Sequence, residues 1–139
     1  MEFKSFTTLT EDSIYIRKTV FIEEQHFNDE FDDKDNECIH VVMYDNNKAI
    51  GNTRIIYNEE HKSYAIGRVA ILKEYRCRGL GKNILLYSEK EIIKRYGHVE
   101  VGVDAQKRVK DFYSKLGYIA TNDEHLEEGC PHIWMIKKL

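Results

Sequence analysis

The sequence predicts a mixed α/β (α+β) fold, a mostly antiparallel central sheet of about six to seven strands flanked by helices. Three observations predict it. β-rich runs follow one another between residues 38 and 71 with turns between them, as in a meander. Beyond residue 79, stretches with apolar residues at helical spacing alternate with short strands. The chain has 139 residues, 42% hydrophobic and 32% charged, enough for one domain with a core and too few for two. Residues 1–139 therefore read as a single domain.

Taken in order, Phe3–Thr7 is a short aromatic run suited to a first strand. Thr10 is an N-cap candidate, with Leu9 and Ile14 placed as a hydrophobic staple. The first helix is expected from Glu11 to about Gln25, with Ile14, Phe21 and Ile22 recurring at helical spacing. Cys38–Tyr44 and Ala49–Tyr57 are strands joined by the hairpin turn Asp45-Asn46-Asn47-Lys48. Ser63–Ile71 is the next strand. A helix from Gly79 to Tyr96 buries Ile84, Leu85, Ile92 and Tyr96, and Gly97 closes it. His98–Val103 alternates valine with other residues and reads as a strand. Asp104 is expected to cap a third helix, 105–116, with Val109, Phe112, Tyr113 and Leu116 on one face and Gly117 at its end. Tyr118–Ala120 and His132–Lys137 read as two last strands. The order is β-α-β-β-β-α-β-α-β-β.

The totals exclude several classes. A net charge of −3 and a pI near 6.1 argue against a general nucleic-acid binder. The start, Met1-Glu2-Phe3-Lys4, lacks the apolar stretch of a signal peptide, and no run approaches the ~20 apolar residues of a membrane span. Cys38, Cys77 and Cys130 are odd in number and far apart, which suits reduced thiols. A cytoplasmic protein, monomer or homodimer, is the expectation. Between Glu23 and Glu37 lie eight acidic residues and one lysine. Such runs are usually solvated, but Phe27 and Phe31 interrupt this one and imply that it packs. The six histidines show no His-x-x-x-His pair, so no metal site is expected.

Within the run Val69 to Asn83, Arg76, Gly79 and Gly81 stand as Arg-x-x-Gly-x-Gly at the start of a helix. Two glycines let backbone approach a ligand, and unpaired amides with the positive end of the helix dipole converge there. Such a turn suits phosphate, with Arg76, Arg78 and Lys82 adding charge. By itself the pattern equally fits a plain strand–helix turn: Ile84 stands where a Rossmann fingerprint needs glycine, and no Gly-Lys-Ser/Thr follows.

Val69-Ala70-Ile71, the charged turn and Phe112-Tyr113-x-x-x-Gly117-Tyr118 together resemble the GNAT superfamily of N-acetyltransferases. The resemblance covers nearly the whole chain. Arg17-x-x-Val20-Phe21-x-x-Glu24-Gln25, Ile66-Gly67-Arg68-Val69 and Glu128-Gly129-Cys130-Pro131-His132-Ile133-x-Met135 look like its ElaA-like subgroup. Lys73, where many relatives carry proline, and Tyr118, where phenylalanine is usual, depart from the pattern without touching the expected chemistry.

The resemblance implies acetyl-CoA as cosubstrate and a small-molecule amine as acceptor. It implies that Arg76, Cys77, Arg78, Gly79, Leu80, Gly81, Lys82 and Asn83 hold the pyrophosphate. Val69, Ala70 and Ile71 would carry the pantetheine arm as an added strand, with the Ile71 amide toward the thioester oxygen. Gln106 and Phe112 complete the cofactor set from the other side of an opened sheet. Tyr113 is the expected general acid, although spacing alone makes it a core residue. Glu24 and His132 are both candidates for the base, His132 having the better ordinary pKa. Each also has a structural reading, as cap or ion pair for Glu24 and as strand packing for His132. Arg54 and Arg68 read as ion-pair partners for carboxylates. The acidic stretch 23–37 favours a cationic acceptor. A non-catalytic acyl-CoA-binding or sensing module is the competing reading. Acyl-homoserine-lactone synthesis ranks lower, because those chains are longer and this one has the full CoA turn.

Overall fold

Local signals start and stop most elements of the computed structural model, which describes residues 1–139. Thr10 is extended and its side chain accepts the Ser13 amide, opening helix α1 (Glu11–Arg17) after strand β1 (Glu2–Phe6). Asn46 and Asn47 both take left-handed backbone angles, as a two-residue hairpin turn needs, and join β2 (Ile39–Asp45) to β3 (Lys48–Asn58). β4 spans Ser63–Ile71. Helix α2 (Leu80–Tyr96) starts after Gly79 at φ 74° and ends at Gly97 at φ 89°. β5 (Glu100–Gln106), α3 (Lys110–Lys115), β6 (Ile119–Glu127) and β7 (Cys130–Lys138) complete the chain. No helix is long and apolar enough to cross a membrane.

The strands form one seven-stranded sheet in the order β1-β2-β3-β4-β5-β7-β6, antiparallel except between β4 and β5. This is the predicted fold class and element order. Alternation along β2 divides the core. Val41 and Met43 face the larger cluster with Ile84, Leu85 and Ile92 of α2. Val42 and Tyr44 face the smaller one with Ile16, Val20 and Phe21. Trp134 of β7 lies across Gly102 of β5, where an added Cβ would come within 1.9 Å of its ring.

Three elements differ from expectation by more than three residues. The first helix is α-helical only to Arg17; residues Lys18–Glu24 form a π-helix. Its buried stripe is Ser13, Ile16, Arg17, Val20 and Phe21, while Ile14 of the expected staple is exposed. The third helix does not begin at Ala105. Asp104, Ala105 and Gln106 remain in β5, paired with Trp134, Ile133 and His132, and the ladder to β7 outweighs local helix propensity. β6 is not a three-residue strand at Tyr118–Ala120. It runs nine residues because β7 pairs with it as a hairpin closed by Glu128 and Gly129, both at positive φ.

The acidic stretch is held by an ion-pair network. Arg17 is fully buried: its Nε donates to Glu30 at 2.8 Å and its Nη1 to Asp35 at 2.8 Å. Arg54 of β3 donates to Asp32 and Asp35, and Arg68 of β4 pairs with Glu30. The loop before β2 is thereby tied to α1, β3 and β4 at once. Burial by itself raises the Asp35 carboxyl, but hydrogen bonds from Arg17, the Asp32 backbone and Arg54 outweigh it and hold its pKa at about 2.

Asp35→Asn leaves Arg17 and Arg54 without that carboxylate and should destabilise the fold by about 3–5 kcal/mol at neutral pH. Because the folded pKa lies below the ordinary 3.8, the Asp35 contribution is complete above that value and lost as pH falls through about 2. Urea unfolding of both proteins along this pH range measures the gap, which should narrow toward the acid end.

Candidate active site

β4 and β5 run parallel but pair at only two positions, Tyr64 with Val101 and Ala65 with Gly102. Beyond Ala65 they part. The cause lies partly in β4, where the register against β3 slips between Asn52 and Arg54 and Arg68 takes φ 51°. Such a bulge bends and twists its strand. The splay opens into a cleft of about 1040 Å³ that reaches from Val69, Gln106 and Tyr113 to His61, His125 and Trp134. One wall is the segment from Phe21 to Glu37; the other is the face of β5, β6 and β7. Glu128, at the β6–β7 turn, accepts the Asn28 and Asp29 amides and joins the two walls.

At the far side of the splay stands the glycine turn. Gly79 is the N-cap of α2 and has no side chain to offer, so the first amides of the helix are left without a capping side chain. Cys77 also takes positive φ, and Cys77, Arg78, Lys82 and Asn83 are exposed, while Leu80 is buried. A Cβ at Gly81 would lie 3.4 Å from the Phe112 ring, so a side chain there presses on α3. Arg76 is engaged within the chain: its Nε donates to the Ile71 carbonyl at 2.8 Å and its two Nη atoms grip Glu24 at 2.6 and 2.7 Å. The exposed positive charge of the turn belongs to Arg78 and Lys82. Ala70 and Ile71 are buried, and Val69 lines the cleft.

Tyr113 is buried at the base of the splay, edge-on to Phe112 and Tyr118. Burial pushes its phenol above the ordinary range, so the hydroxyl is protonated at neutral pH, and it makes no hydrogen bond within the chain. Gln106 ends β5 across from His132. The His132 Nδ1 lies 2.8 Å from the Cys130 carbonyl, which can only accept, so Nδ1 carries a proton. Glu24 is different. The hydrogen bonds from Arg76 hold its carboxyl below the usual range, against the opposing effect of burial.

A cluster not anticipated from sequence lies on the β5–β7 face. His125 donates Nε2–H to Asp104 at 2.9 Å and Nδ1–H to Asp123 at 3.2 Å. Asp123 also accepts from His61 at 2.8 Å, and His61 stacks on Trp134. Both partners of His125 are carboxylates, which favour the doubly protonated ring and raise its pKa, Asp104 chiefly. Alternation of Asp123, His125 and Glu127 on one strand face is the sequence signal for it, and a strand ending at Ala120 does not contain it. Asp104, His125 and Glu127, or Glu60, His61 and Asp123, are close enough together to ligate a cation, though their histidines already pair with the carboxylates.

Residues 7–139 match a family model described as an acetyltransferase (GNAT) domain. YyaT of Bacillus subtilis is 37% identical over 147 residues, covering 100% of this chain and 97% of its own. The crystal structure of Escherichia coli ElaA is similar with a TM-score of 0.85 at 22% identity, over 99% of each chain. An aminoglycoside 6′-N-acetyltransferase complexed with coenzyme A has a TM-score of 0.72 at 16% identity, over 99% of this chain and 97% of its own. The last two likenesses are likenesses of fold.

The His125 pKa should lie above 6.5 and return toward it in Asp104→Asn, as followed by NMR titration of the ring. Since the folded value is the higher one, the pairing stabilises the fold fully below about 6.5 and its contribution disappears as pH rises through the folded pKa.

Proposed function

The chain belongs to the GNAT acetyltransferase family, and from that premise we propose that it moves an acetyl group from acetyl-CoA to the primary amine of a small cationic acceptor by direct attack in a ternary complex. The observation that carries this reading is the splay of β4 from β5, with the glycine turn on one side of it and the carboxylate-lined cleft on the other. The single sheet running from β1 to β7 supports treating residues 1–139 as one domain.

In this reading the amides at the start of α2, with Arg78 and Lys82, take the pyrophosphate. The arm lies along Val69, Ala70 and Ile71, where backbone leaves β5 and a ligand replaces the missing strand. Cys77, Gly81, Asn83 and Phe112 shape the turn around it, and Gln106 meets the arm from β5. Main-chain amides near Ile71 face the thioester oxygen. His132 Nε2 first accepts a proton from the ammonium form of the acceptor, and the freed nitrogen attacks the acyl carbon. The C–S bond breaks as the thiolate takes the proton of Tyr113, and the Tyr113 phenolate takes back the second proton, which the acylated nitrogen gives up. What supports His132 over Glu24 as the base is that Glu24 is engaged by Arg76 and is a weakened base.

Charge supports the acceptor class. The cleft is lined by ten carboxylates against four lysine or arginine side chains. Glu30 and Asp32 of the acidic stretch are taken by Arg17, Arg54 and Arg68, so the excess lies mainly beyond that stretch, on the loop after β3 and on β5 and β6. A protonated amine is drawn into such a cleft, less so at high salt.

Arg78→Glu combined with Lys82→Glu should lower CoA affinity at least tenfold, about 1.4 kcal/mol, with the fold intact because both side chains are exposed. Calorimetric titration with CoA measures this; unchanged affinity removes the turn from the binding site. A panel of amines, polyamines, amino sugars and peptides, followed by thiol release at low and high salt, identifies the acceptor. On it, Tyr113→Phe should lose roughly 10²–10⁴-fold in kcat while KM for acetyl-CoA stays near its original value. Full activity in this variant means that another group protonates the thiolate.

A further inference from the structure

Glu24 ends the π-helix and Gln25 follows it, and these two neighbours touch opposite lips of the splay. Glu24 holds the Arg76 guanidinium by both carboxylate oxygens, and the same guanidinium donates through Nε to the carbonyl of Ile71, the last residue of β4. Gln25 accepts through Oε1 from Nε2 of Gln106, the last residue of β5, at 2.9 Å. The orientation of that amide is set independently: Arg108 donates to Gln106 Oε1 at 2.8 Å, leaving the NH₂ end to face Gln25. One dipeptide of the acceptor-side wall is thus bonded to the ends of both strands that part around the reacting centre.

The chemistry of these bonds argues for geometry over stability. The Glu24–Arg76 pair is about one-third exposed on each side, where solvent screening leaves an ion pair little net stabilising effect. A bidentate fork nevertheless fixes direction as well as distance, and it is joined in line to a main-chain carbonyl. We propose that Glu24 and Gln25 are positioning residues: a clamp that sets how far β4 and β5 stand apart where the pantetheine arm enters, so that the acceptor wall and the cofactor strands keep one spacing. The clamp rests on the reading of the splay as the acyl-CoA site. It assigns Glu24 and Arg76 to each other, in place of proton transfer and phosphate binding.

The test titrates two probes, CoA and its arm-less half 3′-phosphoadenosine 5′-diphosphate, into wild type, Glu24→Gln, Arg76→Gln, Gln25→Ala and the Glu24→Gln/Arg76→Gln double variant. Thermal unfolding is recorded for each. The clamp predicts roughly tenfold weaker CoA binding in every single variant, nearly unchanged binding of the arm-less probe, and a double variant no worse than either parent, as expected for two groups acting as one unit. Glu24→Asp, which keeps the charge on a shorter stem, should recover part of the loss. Equal losses for both probes would mean that Arg76 acts on the phosphates, overturning the clamp. A wild-type preference for CoA that persists in all the variants overturns the clamp alone. Wild-type protein that binds CoA no tighter than the arm-less probe overturns the reading of the splay, and the clamp with it.

Discussion

Everything around the cleft depends on neutralising one buried arginine. Arg17 sits on the inner face of α1 with no exposure to solvent, and an unpaired guanidinium there would cost several kcal/mol, a large share of a domain's stability. Glu30 and Asp35 must therefore come to it, which draws the whole loop before β2 down onto the sheet. Arg54 and Arg68 repeat the demand from β3 and β4. A segment with the composition of a solvated tail becomes a wall because three cations require it. The same constraint selects which face of α1 is buried and leaves Ile14 outside.

The second constraint is the incomplete pairing of β4 with β5. A parallel pair that stops after two positions leaves main-chain groups on facing edges without each other. The bulge at Arg68 lets β4 bend away while its other edge stays hydrogen-bonded to β3. Arg68 is also a member of the ion-pair network, so the residue that distorts the strand is tied to the wall above it. Strand geometry and wall position are for this reason a single feature. The π-helix completes it, ending at the two residues that reach across to both strand ends.

Electrostatics then separates the two sides of the opening. Exposed lysine and arginine stand at the start of α2, where the helix dipole is already positive. Carboxylates and carboxylate-bound histidines line the other side. In the proposed reaction an anionic cofactor and a cationic acceptor approach from opposite directions and meet near Tyr113, a buried hydroxyl at the base of the splay.

The sequence by itself determined what local chemistry decides. The Asn46-Asn47 turn, the Thr10 cap, the exact span of β4, and α2 between Gly79 and Gly97 all follow from residues whose backbone preferences operate over a few positions. The glycine turn stands at a helix start as its spacing required. Tertiary structure decided the rest. β5 keeps Ala105 and Gln106 only because β7 is there to pair with them, and β6 extends to Glu127 for the same reason. Glu24 and Arg76, 52 positions apart, and His125 and Asp104, 21 apart, carry no mark of each other in the chain. Their ionisation depends on the partner each meets in the fold, since a carboxylate or an imidazole takes its pKa from the charges and burial around it, not from its sequence neighbours.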